Sequence, residues 1–131
     1  MNRRKVRRHI HLSTLQFALM RVLWRRGAAT TAEIQAELGP GRELAHTTVA
    51  TLLTRLERRG VVASHREGRQ RVYRARVEES EVRSSMVSEL VGTLFQGDPK
   101  ALMSHLLLES EMRPGDLERI RELLARQHDD D

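Results

Sequence analysis

Residues 45–62 read AHTTVATLLTRLERRGVV. Within this stretch Val49, Leu52, Leu53 and Leu56 recur at i, i+3, i+4 and i+7. That spacing predicts a helix from about Ala45 to Arg59 with one buried stripe, closed by Gly60. The opposite face carries Thr47, Thr51, Thr54, Arg55 and Arg58. A surface helix without a function more often carries Glu, Lys and Ala there. Threonine is a poor helix former, so Thr47, Thr48, Thr51 and Thr54 in one helix need another reason. A helix of short polar side chains can enter the major groove of DNA and approach the base edges closely. Thr can hydrogen-bond bases or phosphates, and its methyl can touch a thymine methyl.

Outward from this helix, the flanking segments complete a pattern. Upstream, Leu15, Leu19, Val22 and Leu23 share a helical face that starts near Ser13 or Thr14 and ends at Gly27, with Arg25 and Arg26 at the negative end of the dipole. Trp24 beside this stripe reads as core. A second helix opens at Thr30, which has the capping-box spacing to Glu33. Ile34 and Leu38 face inward, and Gly39-Pro40-Gly41 stops it. Downstream, residues 61–65 and 71–74 read as strands around a basic turn, Arg66-Glu67-Gly68-Arg69-Gln70. Helix, helix, helix and hairpin in this order make a winged helix-turn-helix. In that arrangement Arg69 and Arg71 on the hairpin can reach phosphates or the minor groove.

The charge is partitioned. Residues 1–77 hold 17 basic and 5 acidic residues, a net of +12, and residues 78–131 hold 6 and 13, a net of −7. A block this basic is the electrostatic footprint of a polyanion. The acidic remainder would be repelled by that partner, which implies a separate task for it. It contains three apolar stripes at helical spacing. Val87, Leu90, Val91 and Leu94 form the first, beside Met86 and Phe95; Leu102, Leu106 and Leu107 the second; Leu117, Ile120, Leu123 and Leu124 the third. Helices so few and short do not close a private core, and a second copy of the chain is the expected cover. Folding back on the same chain is the competing arrangement. The expected organisation is a flexible basic arm at 1–11, a winged-helix DNA-binding domain at 12–77 and a helical dimerisation region at 78–131. The fold class is mainly α with a small β-hairpin.

Several function classes drop out. The chain has no Cys, which removes disulfides, thiolate metal sites and a Cys nucleophile. Aromatic residues make up 3% of the chain, too few for a single-strand stacking platform. No nucleophile elbow or phosphate loop is present, so no enzyme activity or cofactor is expected. His9 and His11 at i, i+2 have the spacing of a weak metal chelate, but phosphate contact or solvation is the commoner role on a basic arm, and no metal site is expected. No apolar run approaches the ~20 residues of a membrane span, and no apolar segment follows the basic start, so a cytoplasmic protein without membrane insertion is expected.

The segments LSTLQFALMRVLWRRG at 12–27, TTAEIQAELG at 30–39, AHTTVATLLTRLERRGVV at 45–62 and EGRQRVYRARVEESEV at 67–82 together resemble the penicillinase-repressor (BlaI/MecI/CopY) family of bacterial winged-helix regulators. The resemblance implies a homodimeric repressor on a near-palindromic operator, reading double-stranded DNA with its N-terminal part and dimerising through C-terminal helices. Carried onto matching positions, it implies DNA contacts at His46, Thr47, Thr48, Thr51 and Arg55, and at Arg69 and Arg71 of the wing. Some members sense copper through C-terminal cysteines, which this chain lacks. Others are inactivated by a membrane sensor protease that cuts an Asn-Phe bond. The corresponding stretch here is Met103-Ser104-His105-Leu106, without Asn-Phe. The competing function is an architectural DNA- or RNA-binding protein that uses only its positive field. A pure phosphate binder would carry more Lys and fewer Thr on the exposed helix face.

Overall fold

The structure, a computed structural model, describes residues 9–39, 44–109 and 112–129. Nine elements follow in chain order: α1 (Thr14–Arg26), β1 (Ala29–Thr30), α2 (Thr31–Leu38), α3 (His46–Arg58), β2 (Val62–Glu67), β3 (Gln70–Ala75), α4 (Glu79–Leu94), α5 (Pro99–Glu109) and α6 (Asp116–Asp129). The fold is mainly helical with one small antiparallel sheet, the winged helix expected from the sequence.

Local chemistry sets the element ends. Ser13 caps α1: its hydroxyl accepts from the Gln16 N–H, and the Gln16 side chain accepts from the Ser13 N–H. Thr30 and Glu33 form the same reciprocal box at the start of α2. Gly27 adopts φ 84°, and its N–H closes α1 on the Leu23 carbonyl at 2.8 Å.

The sheet order is β1-β3-β2. β2 and β3 pair from Val62↔Ala75 through Glu67↔Gln70, which leaves Gly68 and Arg69 as a two-residue turn. Gly68 has φ 64°, the first central position where a tight hairpin turn takes glycine. The strands are therefore longer, and the turn shorter, than the sequence pattern suggested. β1 pairs with β3 through Ala29↔Tyr73 and Thr30↔Val72. Two residues carry no periodicity, so this strand has no signal in the sequence.

The chain divides into two compact units, Met1–Ser88 and Glu89–Asp131. The first is built around Leu19, Met20, Leu23, Ile34, Val49, Leu53, Leu56 and Val62, all buried. Its core also takes in both flanks. Ile10 and Leu12 are buried, and the Ile10 N–H donates to the Ser85 hydroxyl at 2.8 Å. Packing thus begins at Ile10, inside the segment 1–11 read as a free arm; residues 1–8 of that arm lie outside the described residues. At the other end Val82 of α4 is fully buried in the same core, and Met86 packs against it. The first half of α4 therefore belongs with the winged helix, beyond the domain boundary expected at residue 77.

In the second unit Val91 is buried at 8% exposure, while Leu94, Leu106, Leu107, Leu108, Ile120, Leu123 and Leu124 are exposed. The breaks around α5 follow the glycines and prolines of the sequence. Gly97 (φ 81°) ends α4, with its N–H on the Val91 carbonyl, and Asp98 accepts from the Lys100 N–H at 3.0 Å to start α5. Among the described residues, no helix is long and apolar enough to cross a membrane.

Candidate nucleic-acid interface

The core of the first unit dictates which face of α3 reaches solvent. Val49, Leu53 and Leu56 are fully buried, so the residues between them in helical projection point outward. His46, Thr47, Thr48, Thr51 and Arg55 are all exposed. Thr47, Thr48, Thr51 and Arg55 line one open hollow of about 240 Å³, and Leu52 completes it. Leu52, read from the sequence as part of the buried stripe, is half-exposed here. His46 is the first residue of α3 and lies outside this lining.

The start of α3 differs from those of α1 and α2. Ala45 occupies the N-cap, and no side chain bonds the first amide groups. No acidic residue lies in the first turn, whereas Arg55 and Arg58 lie in the last. The exposed face is thus open to a polyanion along its length.

The cations fall into two groups. Arg25 and Arg26 at the end of α1 are tied to α2. Arg26 meets Glu33 at 2.7 Å and Glu37 at 2.5 Å, and Arg25 also pairs with Glu37. Bonds from Arg26 and then Arg25 hold the Glu37 carboxyl below its ordinary range. The Thr30 N–H, with Arg26 adding, does the same for Glu33. These charges are neutralised within the protein. Among the described residues, no carboxylate forms an ion pair with Arg55, Arg58 or Arg69.

In the wing, Arg69 occupies the tip and is exposed. Arg71 does not share its freedom. Its guanidinium donates to the Ser64 hydroxyl at 2.9 Å, and that hydroxyl donates to Glu57 of α3 at 2.8 Å. Arg71 stands directly opposite Arg66 in the ladder, an unfavourable like-charge pair, and Ser64 lies diagonally across from it. Arg71, Ser64 and Glu57 therefore form a bridge from the wing to the last turns of α3. Sequence reading missed Ser64 and Glu57. A turn of only two residues would have put Ser64 in reach of Arg71, but the sequence pattern suggested a longer turn.

Of the residues expected at a dimer contact, Val87, Leu90, Leu94, Leu106, Ile120 and Leu124 are exposed, and Leu102 and Leu117 are half-buried. Val91 is buried in the single chain and has little surface left to offer a second copy.

A compact helical core with an antiparallel wing and an outward helix of exposed threonines and arginines defines a winged-helix DNA-binding protein. The sequence pattern of the penicillinase repressor family matches residues 12–126, and the chain belongs to that family of DNA-binding transcriptional repressors. It is similar to the penicillinase repressor of Staphylococcus aureus, with 20% identity over 117 residues, covering 89% of this chain and 93% of that protein. It is also similar to the penicillinase repressor of Bacillus licheniformis, with 22% identity over 113 residues, covering 86% and 88%. Among solved structures, the DNA-binding domain of the repressor BlaI aligns with a TM-score of 0.51 and 29% identity, over 58% of this chain and 93% of that one.

Proposed function

We propose that the chain is a sequence-specific repressor that binds a near-palindromic operator as a homodimer. The observation that carries this reading is the exposed face of α3, where Thr47, Thr48, Thr51 and Arg55 line one hollow. His46 sits at the end of α3 that such helices turn toward the bases. Arg69 meets a neighbouring phosphate from the wing, and Arg71 braces the wing and adds its remaining donors to the same contact. The apolar surface of the second unit supports dimerisation. Leu94 is 67% exposed and Leu108 79%, and every exposed large apolar side chain among the described residues lies on α4, α5 or α6. Pairing two reading heads reads two half-sites. A signal that cuts or unfolds the C-terminal region then releases the operator without touching α3. A membrane sensor protease is one source of such a signal. Residues 103–106 are exposed on α5, although they lack Asn-Phe.

The test is selection of duplex DNA from a random pool, followed by titration of the enriched sequence and of random DNA. Arg55→Ala should weaken the enriched site more than random DNA, by ~1–3 kcal/mol for a lost base contact. Equal losses on both would refute the assignment of α3 as the reading helix.

A further inference from the structure

We infer that Thr51 reads a thymine through methyl-to-methyl contact, its hydroxyl being engaged within the helix. This deepens the DNA-binding reading proposed above and rests on it. Thr51 Oγ1 donates to the Thr47 carbonyl at 2.9 Å, one turn back. Thr54 Oγ1 makes the same bond to the Ala50 carbonyl at 2.9 Å. A hydroxyl has one proton, and that of Thr51 is committed to the backbone.

Two roles for Thr51 are thereby closed. Phosphate oxygens and the purine N7 and O6 atoms are acceptors, and meeting them requires a free donor. Thr51 is exposed, and with its oxygen held against the helix the group it has left to offer a base edge is its methyl. Thr51 lines the hollow together with half-buried Leu52, Thr47, Thr48 and Arg55. A methyl offered among polar side chains matches one feature of the major groove. Of the four unmodified bases only thymine presents a methyl there, at C5, beside its O4 acceptor. The Thr51 hydroxyl could still accept from an adenine or cytosine amino group, and the experiment separates that case.

The full chain is used with a duplex enriched from a random pool. Each thymine of the enriched site is replaced in turn by deoxyuridine, which keeps every hydrogen-bonding group and removes only the methyl. One thymine in each half-site should cost roughly 4-fold in affinity when replaced alone, the order of one buried methyl group, and roughly 15-fold when both are replaced. Thr51→Val keeps the methyl and should show the parent's uracil penalty. Thr51→Ser keeps the hydroxyl, removes the methyl from both protomers, should lose the factor of the double replacement on thymine DNA, and should no longer distinguish uracil from thymine at that position. The reverse pattern, Thr51→Val weakened and Thr51→Ser unchanged, would make the hydroxyl the reader and overturn the inference. So would an enriched site at which no uracil costs affinity. A pool that yields no enriched sequence would overturn the sequence-specific reading itself, and the thymine contact with it.

Discussion

The indole N–H of Trp24 donates to the backbone carbonyl of Val77 at 2.9 Å, joining the last turn of α1 to the residue pair that precedes α4. The ring also makes an edge contact with Phe17, at 5.5 Å between centroids. Trp24 is thus core, as its place beside the α1 stripe suggests, and its polar atom fastens the chain where it leaves the sheet. Trp24→Phe removes the donor and leaves a part-buried carbonyl without it. A loss of about 1–3 kcal/mol is expected in urea unfolding. An unchanged midpoint would show the bond to be replaceable by water.

The two wing arginines should separate by salt dependence. Arg69→Ala removes a phosphate contact and should lower the slope of log affinity against log salt by about 1 per protomer. Ser64→Ala breaks the bridge between Arg71 and Glu57 without removing a charge. It should weaken operator binding while leaving the slope near that of the parent. A slope reduced equally by both changes would contradict the bracing role of Ser64.

Acid should loosen the junction of α1 and α2. The carboxyls of Glu33 and Glu37 titrate below their ordinary values in the folded chain. Their stabilisation is complete above the ordinary carboxylate value, about 4.3, and is lost as pH falls through the lower folded value. The melting temperature should therefore drop on acidification below about pH 4, and Glu37→Gln should lower it at neutral pH and flatten the acid limb. Thermal melts between pH 7 and 3 check this. A variant with the parent's pH dependence would assign the acid sensitivity elsewhere.

Truncation separates reading from pairing. A chain ending at Ser88 retains Val82, Ser85 and Met86, which pack against or bond the winged core. It should fold and sediment as a monomer. Losing the linked second half-site should cost ~10²–10⁴ in operator affinity. A chain ending at Val77 lacks those contacts and should be less stable in urea than the longer one. A dimeric 1–88 fragment would move the pairing surface into the winged unit.

Much of this architecture is legible in short-range pattern. The capping pairs Ser13–Gln16 and Thr30–Glu33, the glycines at 27, 60 and 68, and the stripe Val49–Leu53–Leu56 each act within one or two turns of chain. Local sterics and hydrogen bonding suffice to specify them, and the threonine face of α3 follows by subtraction. Features that join distant residues carry no such pattern. β1 exists because Ala29 meets Tyr73, and Ile10 is buried because Ser85 and the core lie beside it. Which arginines remain available to DNA depends on whether a carboxylate on another element comes within reach. Glu37 does so for Arg25 and Arg26, and Ser64 with Glu57 does so for Arg71. The orientation of the Thr51 hydroxyl was likewise open in the sequence, because a threonine can turn either its methyl or its oxygen outward. The rotamer settles the choice, and here the Thr47 carbonyl holds the oxygen against the helix.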